Sequence, residues 1–151
     1  MLDNGVSVER FVKAPPSAVF ALLADPSRHR EIDGSGTLRD ADGGSTRLAL
    51  GDVFGMRMQA GPAPYRMLNE VVEFEDDRRI AWQARPDRAW AAKAIGGRIW
   101  RYELEARDGG TLVRETWDIS QERLPALVWG LRGLTRLSMN RTMDRIAEIV
   151  A

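Results

Sequence analysis

In the stretch "VERFVKAPPSAVFALLADPSRHREIDG", residues 8–34, the spacing of apolar residues changes from the alternation typical of a strand to the spacing typical of a helix. The three valines of residues 6–13 share one parity, interrupted only by Arg10, and this alternation predicts a strand. The motif "APPS" then breaks the strand, and residues 16–25 repeat apolar side chains at helical spacing. The stretch therefore predicts a strand followed directly by a short helix.

A second short helical turn is predicted at residues 27–32, after Pro26 ends the first helix. This turn holds His29, the single histidine of the chain. Histidine is a common general acid or base, but neither a G-x-S-x-G elbow nor a phosphate-binding loop accompanies it. We expect His29 to be a solvent-exposed loop residue beside a binding cavity, with no essential role.

The rest of the chain is predicted to be mostly strand, followed by one long helix. Apolar residues recur at helical spacing from about Leu124 to the end, which predicts a helix over residues 121–150. The segment 86–96 is longer than a tight hairpin needs, so it could be a lid or a helical turn, and we expect it to be more mobile than the sheet. Turn-like separators divide the remainder into the predicted strands 36–42, 47–59, 65–75, 78–85, 97–107 and 111–119.

This order of elements predicts an α+β fold. A sheet with one apolar face must cover that face, and the C-terminal helix is the only element large enough to do so. We therefore expect a single domain over residues 1–151, with a curved antiparallel sheet gripping the long helix. A cavity remains between the two wherever inward side chains do not fill the space.

The opening stretch resembles the START-like superfamily, also called SRPBCC, which includes polyketide cyclase/dehydrase and lipid-transport proteins and birch-pollen-allergen-like proteins. The resemblance extends to "RRIAWQA" at 78–84, "WRYELE" at 100–105 and "GGTLVRETWD" at 109–118. It implies a helix-grip fold of about seven strands with two short helices after the first strand. The superfamily hosts transporters, cyclases, oxygenase subunits and chaperone activators, so the resemblance specifies a fold rather than an activity. The residues that carry it in the opening stretch are Ala14, Pro15, Val19, Phe20, Leu23, Asp25 and Ile32.

Strand alternation selects candidate cavity residues, on the assumption that the apolar parity points inward. The inward set is rich in tryptophan and methionine, which suit an adaptable apolar pocket, although each such residue could equally be plain core. The predicted ligand-binding residues are Phe54, Met56, Met58, Leu68, Glu70, Trp82, Trp100, Tyr102, Val113, Glu115, Trp117 and Leu131.

Four charged residues share the inward parity: Arg10, Glu70, Arg98 and Glu115. Because an unpaired buried charge is costly, each should be paired, lie at the cavity mouth, or be turned outward by a bulge or a register error. Glu115 is the best candidate to orient a polar group of an otherwise apolar ligand, since it alternates clearly with Val113 and Trp117.

The composition excludes several classes of function. Basic and acidic residues number 22 each, so the net charge is zero and gives no overall electrostatic attraction to nucleic acid or an anionic membrane. There is no cysteine, which excludes disulfides and thiol chemistry, and one histidine does not suit a zinc site. With neither a signal peptide nor a membrane span in the sequence, we expect a cytoplasmic monomer or homodimer without metal or cofactor.

Three functions remain open at this point. The first is binding, transport or sequestration of a small hydrophobic, aromatic or lipid-like molecule. The second is an aromatase/cyclase-type enzyme, in which Tyr102, Glu115 and Arg98 are the candidate acid–base residues. The third is a protein-interaction module, like the chaperone activators or toxin-like members of the superfamily, with Trp90 and Trp129 as exposed contacts.

Overall fold

The computed structural model, which describes residues 5–41, 47–88 and 96–151, has a curved, fully antiparallel sheet of seven strands. Their spatial order is β1-β7-β6-β5-β4-β3-β2, so that the first strand pairs with the last and the rest follow as successive hairpins. This arrangement confirms the α+β helix-grip fold. The strands are β1 (Gly5–Val12), β2 (Leu38–Ala41), β3 (Val53–Ala60), β4 (Ala63–Glu75), β5 (Arg79–Pro86), β6 (Ile99–Arg107) and β7 (Gly110–Asp118).

The helices lie on the concave side of the sheet. Two short helices follow β1, as predicted: α1 (Pro16–Leu23) and, after a 3-10 turn, α2 (His29–Ile32). The C-terminal helix is shorter than the predicted 121–150, because it divides into α3 (Pro125–Trp129) and α4 (Arg132–Val150). Glycines at 130 and 133 flank the division, and glycine is among the residues least favourable to helix.

Most strands lie within about two residues of their predicted bounds, and the largest difference is at the start of β3. The predicted strand 47–59 begins only at Val53, because the preceding residues form a turn in which the Leu48 N–H donates to the Ala24 carbonyl, 2.8 Å away. This contact attaches the turn to the end of α1. The predicted strand 36–42 is likewise reduced to β2.

The core lies between the concave face of the sheet, α1 and α4. Its largest side chains with almost no exposure include Trp117 of β7, Ile80 of β5, Phe20 of α1 and Met143 of α4. Each such side chain contributes about 1.5–3 kcal/mol through burial, so this cluster is a main source of stability.

A bulge in β4 changes which of its residues face inward. Val71 pairs with Trp82 and Glu73 with Ala81, so Val72 is an extra residue in the ladder. Before the bulge, Asn69 and Val71 share the concave face with Trp82; after it, Phe74 does. The inward assignment of Leu68 and Glu70 is therefore wrong, because simple counting back from Phe74 ignores the extra residue.

Arg10 has the inward parity, and it is paired, which is one of the outcomes expected for such a charge. Its guanidinium forms an ion pair with Asp144 of α4, on the same side of β1 as the helix. Both side chains are about half exposed, because β1 is an edge strand, so the charge needs no ligand.

The two sides of the sheet meet different environments. On the convex side Arg101 of β6 donates to Glu73, with the closest nitrogen and oxygen 2.7 Å apart, and lies 3.4 Å from Asp118.

Within the described residues no helix has the length and apolar character needed to cross a membrane. The cytoplasmic location stays a prediction.

Candidate ligand cavity

A cavity of about 700 Å³ lies between the concave face of the sheet, α2 and α4. Its walls come from β3 to β7, from the segment after α2 and from one face of α4. Buried residues such as Trp82 and Met139 line its interior, whereas Tyr65, Asp87 and Arg88 are exposed at its mouth. The volume falls within the range of cavities that hold small organic molecules.

Aromatic rings form a continuous row along the interior wall. The Trp82 ring lies 5.6 Å from the Tyr102 ring and stacks on the His29 ring at 4.8 Å with an angle of 22°. Phe54 supports this row from behind, with its ring edge-on to both Trp82 and His29. The row therefore presents a broad apolar surface whose geometry is fixed by ring packing.

His29 is not the solvent-exposed residue that the sequence predicted. It is 4% exposed and lines the cavity, and its Nε2 lies 2.7 Å from the Leu23 carbonyl oxygen. Because a carbonyl only accepts, Nε2 carries the proton and donates. Burial lowers the pKa of His29 to about 4, against the opposing effect of that hydrogen bond, so the ring is neutral at pH 7. Nδ1 is then an acceptor without a proton.

Glu115 and Tyr102 form a buried polar pair in the cavity wall. The Tyr102 hydroxyl donates to Oε2 of Glu115 over 2.6 Å, between the neighbouring strands β6 and β7. Glu115 is 2% exposed, and its second oxygen, Oε1, has no hydrogen-bond partner among the described residues. A buried polar atom of this kind carries a free-energy cost unless something satisfies it.

Burial is the main reason why Glu115 stays protonated at neutral pH. Burial raises the pKa of Glu115 to about 8, opposed by the Tyr102 hydrogen bond and reinforced by the negative charge of Asp33. The pKa of Tyr102 is raised well above its usual range, mainly by burial and then by Glu115. Both groups are therefore neutral at pH 7, and together they can donate and accept hydrogen bonds without an ionic charge.

The cavity is also lined by polar groups that neither the strand parity nor the helical pattern of the sequence identified. Asn69 of β4 is 5% exposed, and Ser138 and Thr142 of α4 face it across the interior. The Thr142 hydroxyl accepts from the Gly34 N–H at 3.0 Å, and a side chain at Gly34 would collide with the Ser138 carbonyl. This contact holds the segment after α2 against α4. The alternation of Met67, Asn69 and Val71 could have signalled Asn69, but it conflicted with the parity of Phe74.

Arg98, one of the candidate catalytic residues, lines the cavity but already has an ionic partner. Its Nε lies 3.6 Å from Oε2 of Glu122, whose side chain is 1% exposed. The other oxygen of Glu122 accepts from the Gly96 N–H at 2.6 Å. Arg98 is thus held at the wall by a buried carboxylate, which reduces its freedom to act as a mobile acid.

The predicted ligand-binding residues divide into four groups. Six of them line the cavity: Met56, Met58, Trp82, Trp100, Tyr102 and Glu115. Phe54, Val113 and Trp117 are buried in the core behind the wall. Leu68 and Glu70 belong to the opposite parity of β4, and Leu131, between α3 and α4, is 47% exposed and absent from the lining.

Two other predictions have different outcomes. Trp90 and most of the segment 86–96 lie outside the described residues. Trp129 is half-buried rather than exposed, with the Arg132 guanidinium over its ring at 3.5 Å. In the part of the chain that the structure describes, no three side chains of the metal-ligating types cluster together.

Comparison with known proteins gives a family match over nearly the whole chain. A family model described as polyketide cyclase / dehydrase and lipid transport matches residues 5–151. The uncharacterized protein Rv0088 of Mycobacterium tuberculosis is 35% identical over 108 residues, which is 71% of this chain and 44% of Rv0088. The chain thus spans less than half the length of the curated relatives it matches.

Solved structures share the fold at low sequence identity. Protein CV1439 from Chromobacterium violaceum superposes with a TM-score of 0.72 at 16% identity, covering 98% of both chains. A protein from Arthrobacter aurescens gives a TM-score of 0.74 at 14% identity, and the match covers 95% of this chain and 84% of the Arthrobacter protein. DynU16, from the dynemicin biosynthetic locus, gives 0.68 at 16% identity over 97% of this chain and 46% of DynU16.

Proposed function

Because the chain belongs to the polyketide cyclase / dehydrase and lipid transport family, we propose that it binds a small hydrophobic, aromatic or lipid-like molecule in the cavity between the sheet and α4. The observation that carries the proposal is the cavity of about 700 Å³, which has an aromatic wall and a mainly apolar surface. A void of this size in the middle of a packed fold forfeits contacts that a ligand would restore.

The chemistry of the lining supports an apolar ligand. Methionines from β3, β4 and α4 meet in the cavity, and their unbranched side chains adapt to ligands of irregular shape. Trp82, Trp100 and Tyr102 add flat surfaces on which a ring system can stack. Most charged groups of the lining already have partners: Arg66 and Asp87 lie 3.7 Å apart at the mouth, and Arg98 is paired with Glu122. The Asp33 carboxylate accepts hydrogen bonds from Ser35 and Leu38, so the interior suits uncharged molecules.

A binding titration with a matched pair of variants tests the proposal. The neutral fluorescent probe N-phenyl-1-naphthylamine should bind saturably, with a change in its emission. Met67→Arg places a charge in the cavity, whereas Leu68→Arg places it at the adjacent residue on the opposite face of β4. We expect Met67→Arg to weaken binding at least tenfold and Leu68→Arg to change it less than threefold.

The contradicting outcomes are distinct. Equal binding by the two variants would place the probe outside the cavity. Absence of saturable binding by the wild-type protein, for this probe and for longer-chain lipid probes alike, would reject the small-molecule function and favour a protein-interaction role. Circular dichroism of each variant establishes that it is folded before its affinity is compared.

A cyclase-type activity is the second candidate, supported by the Tyr102–Glu115 pair. A carboxyl group whose pKa lies near 8 and an adjacent phenol can exchange protons with a bound carbonyl compound at neutral pH. An aryl 1,3,5-triketone would test it, because an aldol cyclisation with loss of water lowers its mass by one water molecule. Tyr102→Phe should slow that conversion at least tenfold while leaving the triketone bound. Binding without conversion by the wild-type protein would restrict the function to binding.

A further inference from the structure

We infer that the cavity selects an uncharged ligand whose buried end carries a hydrogen-bond-accepting oxygen, and that Oε1 of Glu115 is the group that recognises this oxygen. The inference rests on the proposed binding of an apolar small molecule and specifies the chemistry of that molecule. It makes Glu115 a specificity-determining residue.

The geometry leaves one polar atom of the pair available. Tyr102 has already used its proton to hydrogen-bond Oε2 of Glu115, 2.6 Å away. Oε1 of the same carboxyl is buried and has no hydrogen-bond partner within residues 5–41, 47–88 and 96–151. Both residues line the cavity, so Oε1 belongs to the wall of the space that a ligand would occupy.

The surroundings of Glu115 decide whether Oε1 donates or accepts. Tyr102 faces it from β6, and the residue paired with it on β1 is Val8. Asp33 and His29 belong to α2 and the segment after it, and the pKa of His29 is depressed so that its ring is neutral. The part of α4 that lines the cavity carries only Ser138, Met139 and Thr142. Arg98, the cation in the nearby wall, is paired with Glu122.

Burial, reinforced by the negative charge of Asp33, therefore keeps the Glu115 carboxyl protonated at neutral pH. Oε2 accepts from Tyr102, so the acidic proton belongs on Oε1, which becomes a donor. A ketone, ester, amide or ether oxygen of a ligand would accept this hydrogen bond. A ligand carboxylate would instead bring a second anion close to Asp33 in a poorly solvated site, which electrostatics disfavours.

Three probes of one ring system separate these possibilities: 2-acetylnaphthalene, 2-ethylnaphthalene and 2-naphthoate. The first carries an acceptor oxygen, the second replaces it with carbon, and the third carries a carboxylate. Affinities are measured by calorimetry at pH 6.5. We expect the ketone to bind about tenfold more tightly than the ethyl compound, as one satisfied buried hydrogen bond would give, and the carboxylate to bind most weakly.

Two variants of Glu115 test the role of its proton. Glu115→Gln keeps an acceptor for Tyr102 and an N–H donor, and it stays neutral at every pH, so it should keep the ketone preference. Glu115→Leu removes the donor, so the ketone and the ethyl compound should bind with equal affinity. Glu9→Gln, an exposed carboxyl on β1 that pairs with Arg114, serves as the matched control and should change nothing.

The pH dependence gives an independent measurement. An ionised carboxylate cannot donate a hydrogen bond. The wild-type protein should therefore prefer the ketone at pH 6.5 and lose this preference by pH 9.5, because the pKa of Glu115 is about 8. Glu115→Gln should show no such loss. This comparison also decides the matter where Glu115→Leu does not fold by circular dichroism.

The outcomes distinguish this inference from the proposed function. If the three probes bind with equal affinity, if 2-naphthoate binds most tightly, or if the wild-type preference is the same at pH 6.5 and 9.5, the inference is overturned while the binding function stands. Retention of the preference by a folded Glu115→Leu variant overturns it as well. If none of the probes binds, the proposed function fails and the inference fails with it.

Discussion

The concave face of the sheet has a packed end and a cavity end that share one pattern of alternating residues. On β7, Val113 is fully buried within the core, whereas Glu115, two residues later, lines the cavity. The neighbouring strand shows the same contrast, since Leu104 is packed and Trp100 lines the cavity. Alternation identifies the inward face, but it does not distinguish side chains that fill space from side chains that enclose it.

The covering elements create this difference. Apolar residues of α1, among them Phe20, Leu22 and Leu23, are fully buried and fill the packed end. Over the cavity, α4 contributes the short side chains of Ser138 and Thr142, which leave space below the helix. The cavity is therefore determined as much by small residues on the helix as by large residues on the sheet.

The largest effect is expected from truncation of the core residue Trp117, which is the neighbour of Trp100 across the strands. Trp117→Ala should reduce the free energy of unfolding by about 3–5 kcal/mol, because it removes a fully buried indole and leaves a void. Urea denaturation measures this loss, and probe titration on the same sample should give an unchanged affinity per folded molecule. A large loss of affinity with little change in stability would reverse the assignment of Trp117 to the core.

The buried histidine should make the cavity end sensitive to acid. The pKa of His29 is about 4 in the folded state and near 6.5 in the unfolded chain, so between these values only the unfolded chain takes up the proton. The stability that the neutral ring contributes is present above pH 6.5 and is lost as pH falls through 4, on the order of 3 kcal/mol in total.

Two measurements check this expectation. The ring-proton signals of His29, the only histidine of the chain, should titrate in NMR spectra below pH 5. The slope of unfolding free energy against pH between 4 and 6.5 should be smaller in His29→Gln than in the wild-type protein. An NMR pKa near 6.5 would show that the ring is solvated.

A third substitution sharpens the contrast between side chains of the core and side chains of the cavity wall. Trp100→Ala removes a half-buried indole from the cavity wall, so probe affinity should weaken by roughly 1–3 kcal/mol, the value of a large apolar contact. The loss of stability should be smaller than in Trp117→Ala, although the two rings are 6.4 Å apart and their effects are not independent. Unchanged probe affinity would remove Trp100 from the binding wall.

The smallest effect is expected at Leu131. Its side chain is 47% exposed and lies outside the cavity lining, so Leu131→Ala should change stability by less than about 1 kcal/mol and leave probe affinity within a factor of two. The same titration and urea denaturation check both values. A clear loss of affinity would restore Leu131 as a ligand contact.

The sequence predicted the fold and the inward faces of β5, β6 and β7, because these strands alternate without interruption next to recognisable turns. It did not predict the faces of β4, where the single extra residue at the bulge leaves no compositional sign. It also missed His29, whose charged neighbours in sequence suggest a surface turn. The ring is buried because the end of α1 offers a carbonyl acceptor and Trp82 offers a stacking partner, and both arise only from tertiary packing.

The β4 bulge also affects how this chain should be aligned with its relatives. Removing Val72 would leave Val71 opposite Trp82 and Glu73 opposite Ala81, so the ladder would become regular and every neighbouring side chain would keep its face. A homologue that lacks this residue would need a one-position gap at Val72 while having the same cavity. An ungapped alignment would shift Met67 and Asn69 onto residues of the opposite face, and transfer of site residues between such proteins would fail at this strand.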